Sequence, residues 1–331
     1  MKRMVSTAAA ACMLGSAVMA QDAPNAASNS WPQQPVKVVV AAAAGGPIDV
    51  FGRVMAERLS QLLGQQVYVE NVPGAGGMVG GQSVARAKPD GYSALLGTIA
   101  THTHSQNLYK APLYNSATDF APVGLIAEIP LVLITRKDLP VDSLKDFAAY
   151  AKANAAKMNY GSAGTGSATH LGCALLNSAI GVNIQHVPYR GTAPAMQDLT
   201  AGRIDYLCEI VVTAKPQIDG GTVKAIATLS GARSSVLPNL PTAKESGFPN
   251  TEADTWAGLF FPKGTSTAIV DKMNAAMIKA METPDVKAKL ETLGATIVAP
   301  ERRTPAYLAQ FVKDDIVKWA APVKASGIQP E

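Results

Sequence analysis

Three times in this chain a short apolar run stops at a glycine-rich turn that opens straight into a helix-like pattern: Ala44 to Asp49, Pro73 to Gly77 and Gly161 to Ser167. A strand that feeds a helix through a tight turn rejoins its sheet by a crossover. The repeated unit therefore predicts parallel strands with helices on their faces. Val36 to Ala43 is continuous and β-branched, as a doubly covered strand requires. Asp49 to Leu63 then places Phe51, Val54, Met55, Leu59 and Leu62 opposite Arg53, Glu57, Arg58 and Gln61, and Gly64 is positioned as a left-handed cap. A strand at Gln66 to Glu70, a helix from Met78 to Ala87 and a strand at Tyr92 to Gly97 follow.

A second set repeats the scheme. Val123 to Thr135 reads as extended, Ser143 to Ala155 as helix, Met158 to Gly161 as strand and Ala168 to Ile180 as helix. The strand Ile184 to Val187, the helix Ala193 to Ala201, the strand Ile204 to Ile210, a short helix at Ala214 to Gly220 and the strand Val223 to Leu229 come next. An extended run, Thr255 to Phe261, precedes helices at Ile269 to Glu282 and Pro284 to Leu293. With 331 residues there is material for two α/β domains, each built on a doubly wound sheet.

The N-terminus sets the compartment. Lys2 and Arg3 precede the apolar run Val5 to Val18, and Val18-Met19-Ala20 supplies small residues for cleavage, so residues 1–20 read as a secretory leader and Gln21 as the mature start. The run is too short and Ala-rich for a membrane anchor, which needs about 20 strongly apolar residues. Cys12 lacks the preceding apolar stretch of a lipidation signal, and no later window is suited to span a bilayer. The net charge is only +4, and loss of Lys2 and Arg3 lowers it further, so no nucleic-acid partner is expected. Export leaves Cys173 and Cys208 in an oxidising compartment. Their apolar surroundings favour two small buried thiols, with one disulfide as the alternative. His102, His104, His170 and His186 have no carboxylate at a ligand spacing, so neither a metal nor a cofactor is expected.

Each glycine-rich loop leaves backbone N–H groups at the start of a helix, where the macrodipole favours an anion. The hydroxyls of Ser162, Thr165, Ser167 and Thr169 add donors beside the third loop. The loops taken singly are also consistent with ordinary turns and N-caps. A dinucleotide fingerprint is excluded, because Gly74, Gly76, Gly77 and Gly80 miss its spacing and Gly161, Gly164 and Gly166 run it out of order. A phosphate-binding lysine is missing after Gly166, and no nucleophile elbow surrounds Ser162 or Ser167. A carboxylate held by neutral donors fits these loops best.

The string Gly45-Gly46-Pro47-Ile48-Asp49 with Arg53, then Val69-Glu70-Asn71-Val72-Pro73-Gly74-Ala75-Gly76-Gly77 and Pro89-Asp90-Gly91-Tyr92, resembles the Bug-type extracytoplasmic solute receptors of tripartite tricarboxylate transporters. The match continues through Asn159 to Gly166, His186-Val187-Pro188-Tyr189-Arg190-Gly191, Leu237-Pro238, Pro241-Thr242, and Trp256 with Gly258. The resemblance implies a two-domain periplasmic-binding-protein fold of type II, with a ligand cleft between the domains. It implies a monomeric, non-catalytic periplasmic protein that closes on a small mono- or dicarboxylate and delivers it to membrane permease subunits. The expected division is 21–128 with 254–331 as one domain and 129–253 as the other. The site residues it implies are Gly46, Pro47, Asp49, Ala75, Gly76 and Thr101 or His102 from the first domain. From the second they are Ser162, Thr165, Gly166, Ser167, Thr169, His170, Thr192, Asp205 and Glu209. Asp49, Asp205 and Glu209 would repel a carboxylate directly and are equally readable as structural groups, and His170 as a capping or packing residue.

One departure stands out. Where such receptors carry a Pro-Phe-Pro type segment, this chain has Ala41-Ala42-Ala43-Ala44, which suggests room for a bulkier, aromatic or extended acid. Two competing classes are a sensor accessory for a signalling membrane partner and a secreted hydrolase with His102 or His170 as the base.

Overall fold

The computed structural model describes residues 30–325. The expected leader, residues 1–20, lies outside them. The elements in order are β1 (Val36–Val40), α1 (Pro47–Leu63), β2 (Val67–Asn71), α2 (Met78–Ala85), β3 (Ser93–Thr98), α3 (Ser105–Leu108), β4 (Phe120–Ile129), β5 (Leu131–Arg136), α4 (Leu144–Asn154) and β6 (Asn159–Ser162). They continue with α5 (Ala168–Ile180), β7 (Gln185–Pro188), α6 (Thr192–Thr200), β8 (Tyr206–Ile210), α7 (Val211–Asp219), β9 (Val223–Thr228), β10 (Thr255–Pro262), α8 (Thr267–Glu282), α9 (Pro284–Thr292), β11 (Thr296–Ile297) and α10 (Pro305–Ala325).

Two sheets form, in the orders β11-β4-β10-β3-β1-β2 and β7-β6-β8-β5-β9. Each has a parallel heart, β2-β1-β3 in one and β7-β6-β8 in the other. In each an antiparallel strand, β10 or β5, arrives from the opposite half and inserts beside that heart, and the short edge strand β11 also runs antiparallel, to β4. The expected extended run Val123 to Thr135 is thus two strands in two sheets. Pro130 separates them, because a residue with no N–H cannot continue the ladder. The chain returns between Thr228 and Thr255.

The core explains the pairing of the halves. One apolar cluster runs from Leu95 and Leu125 in the first sheet to Leu133 and Tyr206 in the second and Leu171 on α5. The halves are therefore joined by a shared core on one side. Helix α10, which sequence periodicity did not suggest, lies along that side and packs on both β4 and α5. Its buried stripe is Leu308, Val312, Asp315, Trp319 and Val323. Asp315 accepts from Thr103 Oγ1 at 2.6 Å and from Trp256 Nε1 at 3.0 Å, which fixes the helix to the first sheet.

The two cysteines are bridged, against the expectation of free thiols. Cys173 lies on the inner face of α5 and Cys208 on the strand beneath it, with Cα atoms 5.3 Å apart. The apolar setting that suggested buried thiols is the packing that brings them together. Among the described residues no helix is long and apolar enough to cross a membrane, and no cluster could hold a metal ion.

Candidate ligand-binding cleft

All three glycine loops follow the carboxyl ends of parallel strands, where α/β sheets place their ligands. In the first loop Asp49 is 2% exposed and acts as a clasp. Its Oδ2 accepts from Gly45 N at 2.8 Å and Arg53 Nε at 3.0 Å, and its Oδ1 accepts from Asn71 Nδ2 at 2.9 Å. Burial alone would raise its pKa, but the Arg53, Gly45 and Asn71 donors together hold it below the ordinary value. Asp49 therefore shapes the loop, and the amides of Gly46 and Ile48 have no acceptor among the described residues.

The second loop has four consecutive left-handed residues, with φ of 132° at Gly74, 45° at Ala75, 61° at Gly76 and 95° at Gly77. Only Ala75 has a side chain that resists this conformation. A Cβ on Gly77 would also meet Thr101 Cγ2 at 2.9 Å. The turn leaves the exposed amides of Ala75 and Gly76 without an acceptor among the described residues. Thr101 and His102 do not join them. Both are at most 2% exposed, Thr101 Oγ1 accepts from Thr98 N at 2.9 Å, and His102 stacks on Phe260 at 3.9 Å.

The third loop is held by its own hydroxyls and by two imidazoles. Ala163 N donates to Thr169 Oγ1 at 2.9 Å and Gly164 N to Ser162 Oγ at 3.0 Å. Ser167 Oγ donates to Gly164 O at 2.7 Å and caps α5 by accepting from His170 N at 3.2 Å. Gly166 is gripped on both sides: its N–H donates to His170 Nδ1 at 3.1 Å, and its carbonyl accepts from His104 Nδ1 at 3.2 Å. His186, which spacing left isolated, places Nε2 2.7 Å from Ser162 Oγ and stacks on His170 at 3.7 Å. Burial lowers the pKa of His104 and His170 to about 3 and that of His186 to about 4, so all three are neutral. The amides of Thr165, Ala168 and Thr169 keep no acceptor among the described residues.

Thr192 opens α6, next to a loop tied to the third one by Gly191 N donating to Ala163 O at 3.3 Å. Asp205 lies at the opposite end of the second sheet. It accepts from Asn159 N at 2.8 Å and Arg136 Nε at 3.0 Å, a strand's length from the loop. Glu209 is 1% exposed and accepts from Ile210 N at 2.9 Å and Thr213 Oγ1 at 2.6 Å, so it is tied to the start of α7. Burial outweighs those bonds and raises its pKa to about 7.

The second and third loops are brought together by two consecutive residues. Tyr109 Oη is 3.7 Å from where a Cβ on Gly76 would stand, and Leu108 Cδ1 is 2.6 Å from the corresponding point on Gly166. A cavity of about 690 Å³ lies elsewhere, at the C-terminal end of α5 against Asn177, Tyr160 and His186. Helix carbonyls point there, which disfavours an anion.

Comparison with known proteins identifies the family and the fold. Residues 51–328 match the tripartite tricarboxylate transporter family receptor. The chain belongs to that family. BugT of Bordetella pertussis is 33% identical over 301 residues, 91% of each chain. A curated Agrobacterium vitis relative is 41% identical over 91% of this chain and 87% of its own. MatC from Rhodopseudomonas palustris, solved with bound malate, superposes with a TM-score of 0.80 at 39% identity, covering 88% of this chain and all of its own. A second R. palustris protein, solved with adipate, has a TM-score of 0.83 at 33% identity, covering 91% and 100%. The two-sheet architecture is that of these solute-binding receptors.

Proposed function

We propose that this receptor works in the periplasm as a monomer, captures a small carboxylate by closure of its two halves, and delivers it to membrane permease subunits. The supporting observation is the set of unengaged backbone amides at Gly46, Ile48, Ala75, Gly76, Thr165, Ala168 and Thr169, on three loops at strand ends. Such donors recognise a carboxylate without a formal positive charge. Pro47, Ser162, Gly166, Ser167 and Thr192 shape those loops, and Asp49 and His170 position them. The bound ligand would hold the halves closed by touching both.

Of the four alanines in the departing segment, Ala41 faces α2, since a Cβ on Gly80 would meet its Cβ at 2.7 Å. Ala43 and Ala44 are exposed beside the loop, which leaves space for an extended acid. A secreted hydrolase is less well supported. The Ser162–His186 pair has the required contact, but Ser162 is 1% exposed and its Oγ is already engaged by Gly164.

Thermal-shift screening over mono- and dicarboxylates tests the reading. A binder at a hundredfold excess over Kd stabilises by about 2.7 kcal/mol. A flat response to every acid refutes it.

A further inference from the structure

The cavity of about 690 Å³ at the C-terminal end of α5 has room for a small organic molecule, and no residue of the three glycine loops lines it. None of its lining residues carries a formal charge, since His186 is neutral, and the last turn of α5 has no basic side chain. The negative end of the helix macrodipole therefore faces the cavity uncompensated, which favours a cation.

Two lining side chains have polar atoms without a hydrogen-bond partner. Tyr160 is 3% exposed, yet its hydroxyl bonds to nothing among the described residues. His186 meets Ser162 Oγ through Nε2 at 2.7 Å, and its Nδ1 is unpartnered among the described residues. A hydroxyl and a ring nitrogen left open at one cavity call for an occupant that donates to both, and an ammonium group has three hydrogens to give. Ala155, Ala174 and Ile184 add an apolar wall that suits a short hydrocarbon body.

His186 also joins the cavity to the third loop. Ser162 Oγ accepts from Gly164 N at 3.0 Å and has a single hydrogen, for which Gly164 O at 3.1 Å and His186 Nε2 at 2.7 Å compete. A donor at His186 Nδ1 fixes the tautomer in which Nε2 carries the ring hydrogen. Nε2 then donates to Ser162 Oγ, the Ser162 hydrogen goes to Gly164 O, and the competition ends.

We propose that this cavity is a second ligand site, for a small organic amine whose ammonium donates to Tyr160 Oη and His186 Nδ1 and, through His186, fixes the third loop. The site acts on the loop from behind, through a side chain that touches both.

The test is calorimetric titration of the protein at neutral pH with phenethylamine and with phenethyl alcohol, which has the same body without the charge. The amine should bind saturably and about tenfold more tightly than the alcohol. Tyr160→Phe keeps the ring and removes only an unpartnered hydroxyl. Its melting temperature should therefore not fall, while its affinity for the amine should drop about threefold to tenfold. In wild-type protein isotopically labelled in the histidine rings, binding should move the His186 signals to those of a ring with Nε2 protonated and Nδ1 accepting, and leave those of His102 in place. Binding that leaves the His186 signals unmoved, or that Tyr160→Phe does not weaken, overturns the proposal. So does equal affinity for the alcohol, or no binding of the amine. No carboxylate enters either measurement, so the outcome is separate from the carboxylate reading.

Discussion

Acidification should destabilise the protein in two stages, the second steeper than the first. His102, His104 and His170 are buried, and burial lowers their pKa values from 6.5 to about 3. As pH falls below 6.5 the unfolded chain protonates these rings while the folded protein does not. Their stabilising contribution is complete above that pH and is lost at about 1.4 kcal/mol per pH unit for each ring. Glu209 and Asp254 work in the opposite sense. Burial raises both to about 7 from 4.5 and 3.8, with Glu128 adding to the rise at Asp254, so in that interval the folded state holds two protons that the unfolded chain has released. His186, lowered to about 4, acts with the three rings in that interval, and four rings against two carboxyls leave a net loss of about 3 kcal/mol per unit between about pH 6.5 and 4.5. Below about pH 4 both carboxyls and His186 are protonated in either state, and the other three rings act unopposed at about 4 kcal/mol per unit. The low pKa of Asp49 adds to the loss. Against a typical stability of about 5–15 kcal/mol, unfolding should be largely complete near about pH 3. Urea midpoints measured from about pH 7.5 to 3.5 should show the break in slope. His102→Leu should reduce the steep limb by about a third, since one of three rings is gone. A profile that is flat or rises between about pH 4.5 and 3.5 would refute the reasoning.

Three further outcomes rest on particular contacts. Ala75→Gly should raise stability by about 1 kcal/mol, because it relieves the left-handed φ of 45°, and a lowered melting temperature would contradict that. Replacing Cys173 and Cys208 together with alanine should cost about 4 kcal/mol through the 35-residue loop they close, read as a shift in denaturant midpoint; an unchanged midpoint would mean the bridge is absent in solution. Ser167→Ala removes the cap of α5 and the bond to Gly164, and should cost about 1 kcal/mol in stability while weakening carboxylate binding. Unaltered affinity with the stability loss would restrict Ser167 to a capping role.

Much of the architecture was legible because strand, glycine turn and helix are local patterns. The features that escaped were set by distant partners. Helix α10 was hidden because Asp315 interrupts its apolar stripe, and that carboxylate is tolerated only through Thr103 and Trp256, 212 and 59 residues away. Pro130 was visible, but its switching of sheets depends on strands on both sides of it. Asp49 and Asp205 were alike in sequence as candidate site carboxylates, and only the strand direction reveals that Asp205 stands at the wrong end.

The third loop shows why its location could be read while its donors could not. Serine and threonine hydroxyls close to glycines look like ligand donors, yet short polar side chains bond their own backbone readily. Here Ser162, Ser167 and Thr169 all do so within the loop. They hold a glycine-rich turn that has few side-chain contacts of its own. His104 and His186 come from 62 and 24 residues away to complete the hold, so no local pattern could name them. The amides left over are those the loop does not need for itself. The hydroxyls thus act on the ligand through the backbone they fix, and Ser167→Ala should weaken binding even though its Oγ need never touch the acid.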